Sequence, residues 1–225
     1  MRIKVGCRYL YLGLRKRDLD LPCVYRSVYM DNPKIKDLTI QILSDNWYTL
    51  KKATYKYQRK NGDWQEQQRE AYDRGNGAAV LLCDVDRKVI LLTRQFRLPT
   101  YINGNDDGMM IEVCAGLLDG DNPDDCIRKE IIEETGYQID KVHRVMEAYM
   151  SPGSVTEILY LYLGRYHPDL KIHKGGGVEH EQEEIDSIEI TLEKAMQMIS
   201  TGDIKDAKTI MLIHYLALHG WSVLQ

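Results

Sequence analysis

No stretch of this 225-residue chain approaches the ~18 consecutive apolar residues that a membrane-spanning helix needs. The first twenty residues, MRIKVGCRYLYLGLRKRDLD, are basic but lack a sustained apolar core, which argues against a secretory signal and for a cytoplasmic protein. A basic surplus is missing too, since 30 Lys and Arg stand against 34 Asp and Glu for a net charge of −4. Proteins that grip nucleic-acid backbones usually carry the opposite balance, so no nucleic-acid partner is expected. Cysteine is sparse. Cys7, Cys23, Cys83, Cys114 and Cys126 form no C-x-x-C pair, are odd in number, and three lie in apolar segments. Free buried thiols in a reducing compartment are the expectation. No internal repeat is visible.

What is present is ordinary for a globular chain: 44% hydrophobic and 28% charged residues, with length for one substantial core or a domain plus a small appendage. Residues 1–29 show no clear period and read as an extension dispensable for the fold. Residues 30–75 read as a small β element and 76–225 as the main domain. Between Leu38 and Tyr72 the pattern is β-like. Trp47–Tyr57 is an aromatic-rich strand that a monomer would leave as an exposed apolar edge, and Asn61-Gly62 is a hairpin turn. AAVLLCD (78–84) and KVILLTRQF (88–96) are continuous apolar runs that suit strands buried on both faces. Further strands are expected at 109–115, 142–150, 158–166 and 187–190. Helices are expected at 121–137, 192–200 and 206–220, with a glycine-rich acidic loop at 173–184. Strands around one central helix, followed by terminal helices, make an α/β fold with a mixed sheet between helices.

The chemistry concentrates in residues 115–137, AGLLDGDNPDDCIRKEIIEETGY. Asn122 can cap a helix that Pro123 opens, Asp124 and Asp125 suit its positive end, and Gly136 suits a left-handed end. At ~100° per residue, Glu130, Glu133 and Glu134 share one arc, with Ile127 and Ile131 flanking it to anchor the helix. Three carboxylates so close repel one another unless a cation neutralises them, and Mg2+ suits oxygen ligands while keeping positions open for phosphates. A solvated acidic face is the commoner use of such a pattern. The flanking spacing decides against it.

The stretch resembles the Nudix box, G-x5-E-x7-R-E-U-x-E-E-x-G-U, with U apolar. Gly116 matches the leading glycine, and Glu130, Ile131, Glu133, Glu134, Gly136 and Tyr137 match the second half position by position. Lys129 replaces the arginine, Asn122 stands where the first glutamate would be, and the interval between is one residue short. Together with segments 42–50, 69–82, 94–105, 149–157 and 175–179, this makes the chain similar to the nucleoside-diphosphate-sugar branch of the Nudix hydrolases. Within that branch it resembles the GDP-mannose pyrophosphatases, over roughly residues 37–219. Pro152, 16 residues beyond Gly136, fits the same branch.

The resemblance implies an α/β/α sandwich whose N-terminal antiparallel β element builds a homodimer. It implies hydrolysis of a nucleotide sugar, GDP-mannose to GMP and mannose 1-phosphate. ADP-ribose as substrate, or a sensor that binds a nucleotide sugar without cleaving it, are the alternatives. Two or three Mg2+ would sit between Glu130, Glu134, a backbone carbonyl near Ala115 and a loop glutamate. Glu183, just before Glu184-Ile185, is favoured for that glutamate, although a direct count from GGGVE selects Glu181. Glu133 would brace the box or act in catalysis. Arg97 would contact phosphate, Glu157 would bind ribose or sugar hydroxyls, and Gly116 and Leu117 would line the substrate. Trp47, Arg69 and Glu70 would complete the partner's site, while Gln68 stands where a relative has lysine and that contact is lost. Gly175, Gly176 and Gly177 would let the acidic loop close over substrate.

Overall fold

A computed structural model describes residues 32–178 and 182–224. The expected extension at 1–29, Cys7, Cys23 and Glu181 lie outside the described residues. The chain divides between Tyr72 and Asp73 into two compact units.

The N-terminal unit is a three-stranded sheet in the order β1 (Ile35–Asp45), β2 (Thr49–Gln58), β3 (Trp64–Asp73). β1 and β2 pair antiparallel, with irregularities between Lys36 and Thr39 and between Ile42 and Ser44. The hairpin between β2 and β3 turns at Asn61-Gly62, where Gly62 takes φ +92° and its amide donates to the Arg59 carbonyl at 2.9 Å. The aromatic-rich strand is not an edge, as the sequence suggested. β2 lies in the middle, so its backbone donors and acceptors are shared with β1 and β3, and these two form the edges. Trp47 falls in the turn before β2 and is 78% exposed.

The main unit is built on a seven-stranded mixed sheet. β4 (Gly77–Asp84) lies between β5 (Val89–Phe96) and β9 (Ile158–Arg165), with β10 (Asp186–Thr191) and β8 (Val142–Tyr149) outermost. β4 and β9 run parallel, and the other recorded pairs run antiparallel. All eight residues of β4 are buried, as its continuous apolar run requires. Ala79, Leu81 and Cys83 enter one core with Ala195 of α3 (Leu192–Thr201) and Leu212, Ile213 and Leu216 of α4 (Ala207–His219). Ala78, Val80 and Leu82 enter the other with Cys126 and Ile127 of α2 (Pro123–Glu130) and with Ile131. Burying each large aliphatic side chain contributes about 1.5–3 kcal/mol, so the two-sided strand fixes both helical layers. The result is an α/β/α sandwich.

Two expected elements are divided. The single strand expected at 109–115 is broken into β6 (Met109–Glu112), paired with β5, and β7 (Cys114–Leu117), paired with β4. At the break, the Val113 amide donates to Thr209 Oγ1 in α4 at 2.8 Å. The helix expected at 121–137 is α-helical only through Glu130; Ile131–Thr135 widens into a π-helical turn closed by Gly136 at φ +76°. Such turns recur at functional sites. A short helix, α1 (Leu98–Ile102), follows β5 where none was expected.

Among the described residues no helix is long and apolar enough to cross a membrane. Cys83, Cys114 and Cys126 are buried and unbonded.

Candidate active site

The box helix begins as its sequence dictates. Asn122 Oδ1 accepts from the Asp125 amide at 3.0 Å, and Pro123 occupies the first turn, where a missing N–H has no consequence. This accounts locally for asparagine where the Nudix pattern has glutamate. Ile127 and Ile131 are fully buried and anchor the helix to the sheet. Lys129 reaches Glu133 at 3.4 Å, a one-point contact in place of an arginine fork.

Glu130 and Glu134 face the sheet at β7. Glu130 packs directly over Gly116, since a Cβ built there would lie 2.0 Å from Glu130 Oε1. The bare Cα of that glycine makes room for the carboxylate. Glu134 is 1% exposed, and its Oε2 has no hydrogen-bond partner among the described residues. Burial pushes its carboxyl up to about 8; the Cys114 thiol and Arg97 pull it down, and the charges of Glu130 and Glu183 add to the rise. The third carboxylate of the cluster therefore comes from the loop. Glu133, in the arc drawn from the sequence, is engaged with Lys129.

Before Glu183, the glycine segment is hydrogen-bonded to the end of the box helix. The amides of Gly176, Gly177 and Ile172 donate to the carbonyls of Glu134, Glu133 and Gly136 at 2.8, 3.1 and 2.8 Å. These carbonyls belong to the helix end, which leaves its last acceptors without helical donors. A Cβ on Gly175 would come within 2.5 Å of the Glu134 carbonyl oxygen, and one on Gly177 within 2.6 Å of Glu183 Cβ. These glycines combine positive φ with close approach to neighbouring backbone and side chains. Glu183 Oε2 accepts from the Val178 amide at 3.2 Å.

The donor set suits a hard divalent cation. A buried carboxylate with an unpartnered oxygen, coupled to two more carboxylates, is relieved by a positive charge placed among them. As the side chains stand, no group of three or more His, Cys, Asp or Glu among the described residues is closed into a metal cage.

Arg97, expected to contact phosphate, forms a two-point pair with Glu112, Nε to Oε1 at 2.8 Å and Nη2 to Oε2 at 3.1 Å. Glu157 lies 3.3 Å from Arg74 Nε. Its Oε1 and the Gly116 carbonyl are both within 4 Å of a Cβ built on Gly77, which sets it beside the β7 glycine. Leu117 is half-buried at the end of β7. Trp47, Arg69 and Glu70 are exposed on the N-terminal unit, with Arg69 Nη1 donating to the Gln68 carbonyl at 2.7 Å.

The sequence reading missed Glu112 and Lys208. Lys208 Nζ lies 2.5 Å from Glu112 Oε2 and 3.0 Å from Asp206, the residue that caps α4. Burial alone would raise the Glu112 carboxyl, but Lys208 and Arg97 outweigh it and hold it at about 2. A signal was available. For Glu112 it is a lone charge inside an apolar segment, MMIEVCA, and buried charges need partners.

Comparison with known proteins places the chain among relatives. Residues 34–72 match the model described as the GDP-mannose pyrophosphatase NudK N-terminal domain, and residues 73–212 match the NUDIX domain model. A GDP-mannose pyrophosphatase of Salmonella paratyphi B (strain ATCC BAA-1250 / SPB7) is 50% identical over 182 residues, covering 81% of this chain and 93% of its own. One of Yersinia enterocolitica serotype O:8 / biotype 1B is 50% identical over 187 residues, covering 83% and 97%. With its box helix, its carboxylate cluster and a domain match over more than half its length, the chain belongs to the Nudix family of hydrolases.

Proposed function

We propose that this chain hydrolyses the pyrophosphate bond of a nucleotide sugar, GDP-mannose before others, to GMP and mannose 1-phosphate with Mg2+. The observation that carries the reading is the coupling of Glu130, Glu134 and Glu183 around a buried, unpartnered carboxylate oxygen. The substrate follows the curated relatives at 50% identity. Glu130, Glu134, Glu183 and the Ala115 carbonyl would hold Mg2+, which would supply positive charge to polarise the phosphoryl group. Arg97, held by Glu112 through Nε and Nη2, contacts the pyrophosphate with its remaining N–H donors. Water adds to one phosphorus, the bridging P–O bond breaks, and an acidic side chain takes the proton of the water. Glu157 would bind ribose or sugar hydroxyls, and Gly116 and Leu117 would line the substrate.

The test is a comparison of kcat/KM for GDP-mannose, GDP-glucose, ADP-ribose and ADP-mannose, with and without Mg2+, read by product chromatography. GDP-mannose is expected to lead. A lead for ADP-ribose by about tenfold, ~1.4 kcal/mol, would overturn the sugar and base assignment and leave the Nudix chemistry standing. Binding without turnover of any of the four would favour a sensor.

Glu183 is assigned as the loop carboxylate on its coupling to Glu134 and its seat on Gly177. Glu183→Gln is expected to lose most activity while Glu181→Gln keeps it; the reverse ranking would reject the assignment.

The chain is also proposed to act as a homodimer, with Trp47, Arg69 and Glu70 of one protomer completing the other's site. Supporting this are the 78% exposure of Trp47 and the match of residues 34–72 to a distinct N-terminal domain. Inactive Arg69→Ala and inactive Glu134→Gln chains, mixed, should regain activity in mixed dimers. A monomer by light scattering, or no rescue after proven exchange, would count against it.

A further inference from the structure

Glu112 is the inner of two anions in an ionic ladder that crosses from α4 to the segment after β5. Asp206 pairs with Lys208, Lys208 with Glu112, and Glu112 with Arg97. Side-chain exposure is 17%, 11% and 4% for the first three and 38% for Arg97, so the ladder ends outward at the arginine. The pair takes Nε and Nη2 of a guanidinium that carries five N–H donors, leaving the Nη1 edge for other groups.

The backbone fixes both ends of that pair. Arg97 donates its amide to the Gly108 carbonyl at 2.8 Å and stands at the start of α1. Glu112 ends β6, and its carbonyl accepts from Thr93 Oγ1 of β5 at 3.2 Å. Its partner Lys208 sits in the first turn of α4, capped by Asp206. Three elements thus determine where one carboxylate points.

Stability alone gives little reason for such a set. Buried ion pairs are often replaceable by apolar residues without loss, whereas a two-point arginine–carboxylate pair fixes direction. We propose that Glu112 is a positioning residue, gripping Arg97 by its Nε–Nη2 edge so that the Nη1 edge meets a phosphate oxygen of the nucleoside diphosphate. The inference rests on the reading of Arg97 as the phosphate contact.

The test uses the nucleotide sugar that the wild-type enzyme turns over fastest, with Glu112→Asp, Arg97→Ala and the double variant. Glu112→Asp keeps the charge but withdraws the carboxylate by one methylene. Its KM is expected to rise about tenfold, with kcat changed less than about threefold and the melting temperature near wild type. In the Arg97→Ala background the same change should add less than about twofold, because the two residues act as one unit. Glu112→Gln, an isostere, reads the same split should the Asp variant lose its fold. A wild-type KM in a folded Glu112 variant, or an equal KM factor with and without Arg97, overturns the positioning role. Should Arg97→Ala itself leave KM unchanged, the phosphate role of Arg97 falls, and the inference with it.

Discussion

Glu134→Gln is expected to fold and to lose roughly 10³-fold or more in kcat, because it removes a negative oxygen from the cluster that must hold the metal through the transition state. The structure gives this variant a second signature. The Glu134 carboxyl is raised from 4.5 to about 8 by burial and by Glu130 and Glu183. A raised carboxyl means that the folded state binds the proton more tightly than the unfolded state does. Its contribution to stability is complete below about pH 4.5 and is lost as pH rises toward 8. In chelator, the wild-type melting temperature relative to Glu134→Gln should therefore fall across that window, since glutamine has no proton to lose. Saturating Mg2+ should then restore the wild type and not the variant. Near-normal turnover of the variant at saturating Mg2+, or parallel pH profiles in chelator, would refute the role given to Glu134.

The second large effect is expected at Gly116. Alanine there places a methyl group 2.0 Å from Glu130 Oε1 and 2.1 Å from its carboxyl carbon. The colliding atoms belong to the end of a flexible side chain, and Gly116 is not at positive φ, so the strand accommodates alanine and Glu130 swings away. The expected result is a loss of about 10²-fold in kcat/KM, the scale that misplacement of a reacting group by about 1 Å produces. The melting temperature should change little, and half-maximal activation should need more Mg2+. A Mg2+ activation curve indistinguishable from wild type would show that Glu130 does not need its seat on Gly116. The contrast with Glu134→Gln is informative, because one variant keeps all carboxylates and moves one, and the other keeps the positions and removes a charge.

Much of the fold follows from local patterns that can be read along the chain. β4 is buried on both faces because its apolar run has no polar alternate, and the box helix starts at Asn122 and ends at Gly136 because capping is a property of neighbouring residues. The seating of Glu130 and Glu134 also follows from helical geometry. What the sequence could not show depends on distant partners. The break at Val113 exists because Thr209, 96 residues later, takes its amide. The helical arc by itself groups Glu133 with Glu130 and Glu134; Glu183, on a distant loop, was named only through the family resemblance. Arg97 was read as an isolated phosphate contact because Glu112 and Lys208 are bonded to each other across the fold. The docking of the glycines at 175–177 depends on carbonyls of a distant segment, the end of the box helix, which residue type alone does not reveal.

That docking has a thermodynamic consequence. Three backbone acceptors at the end of the box helix are satisfied only while the loop bearing Glu183 is in place. Order in the loop and order in the helix end are therefore two descriptions of one equilibrium. Coupling of this kind is reciprocal: whatever a bound cation contributes to holding the loop down, the docked loop returns, in equal measure, as affinity for the cation.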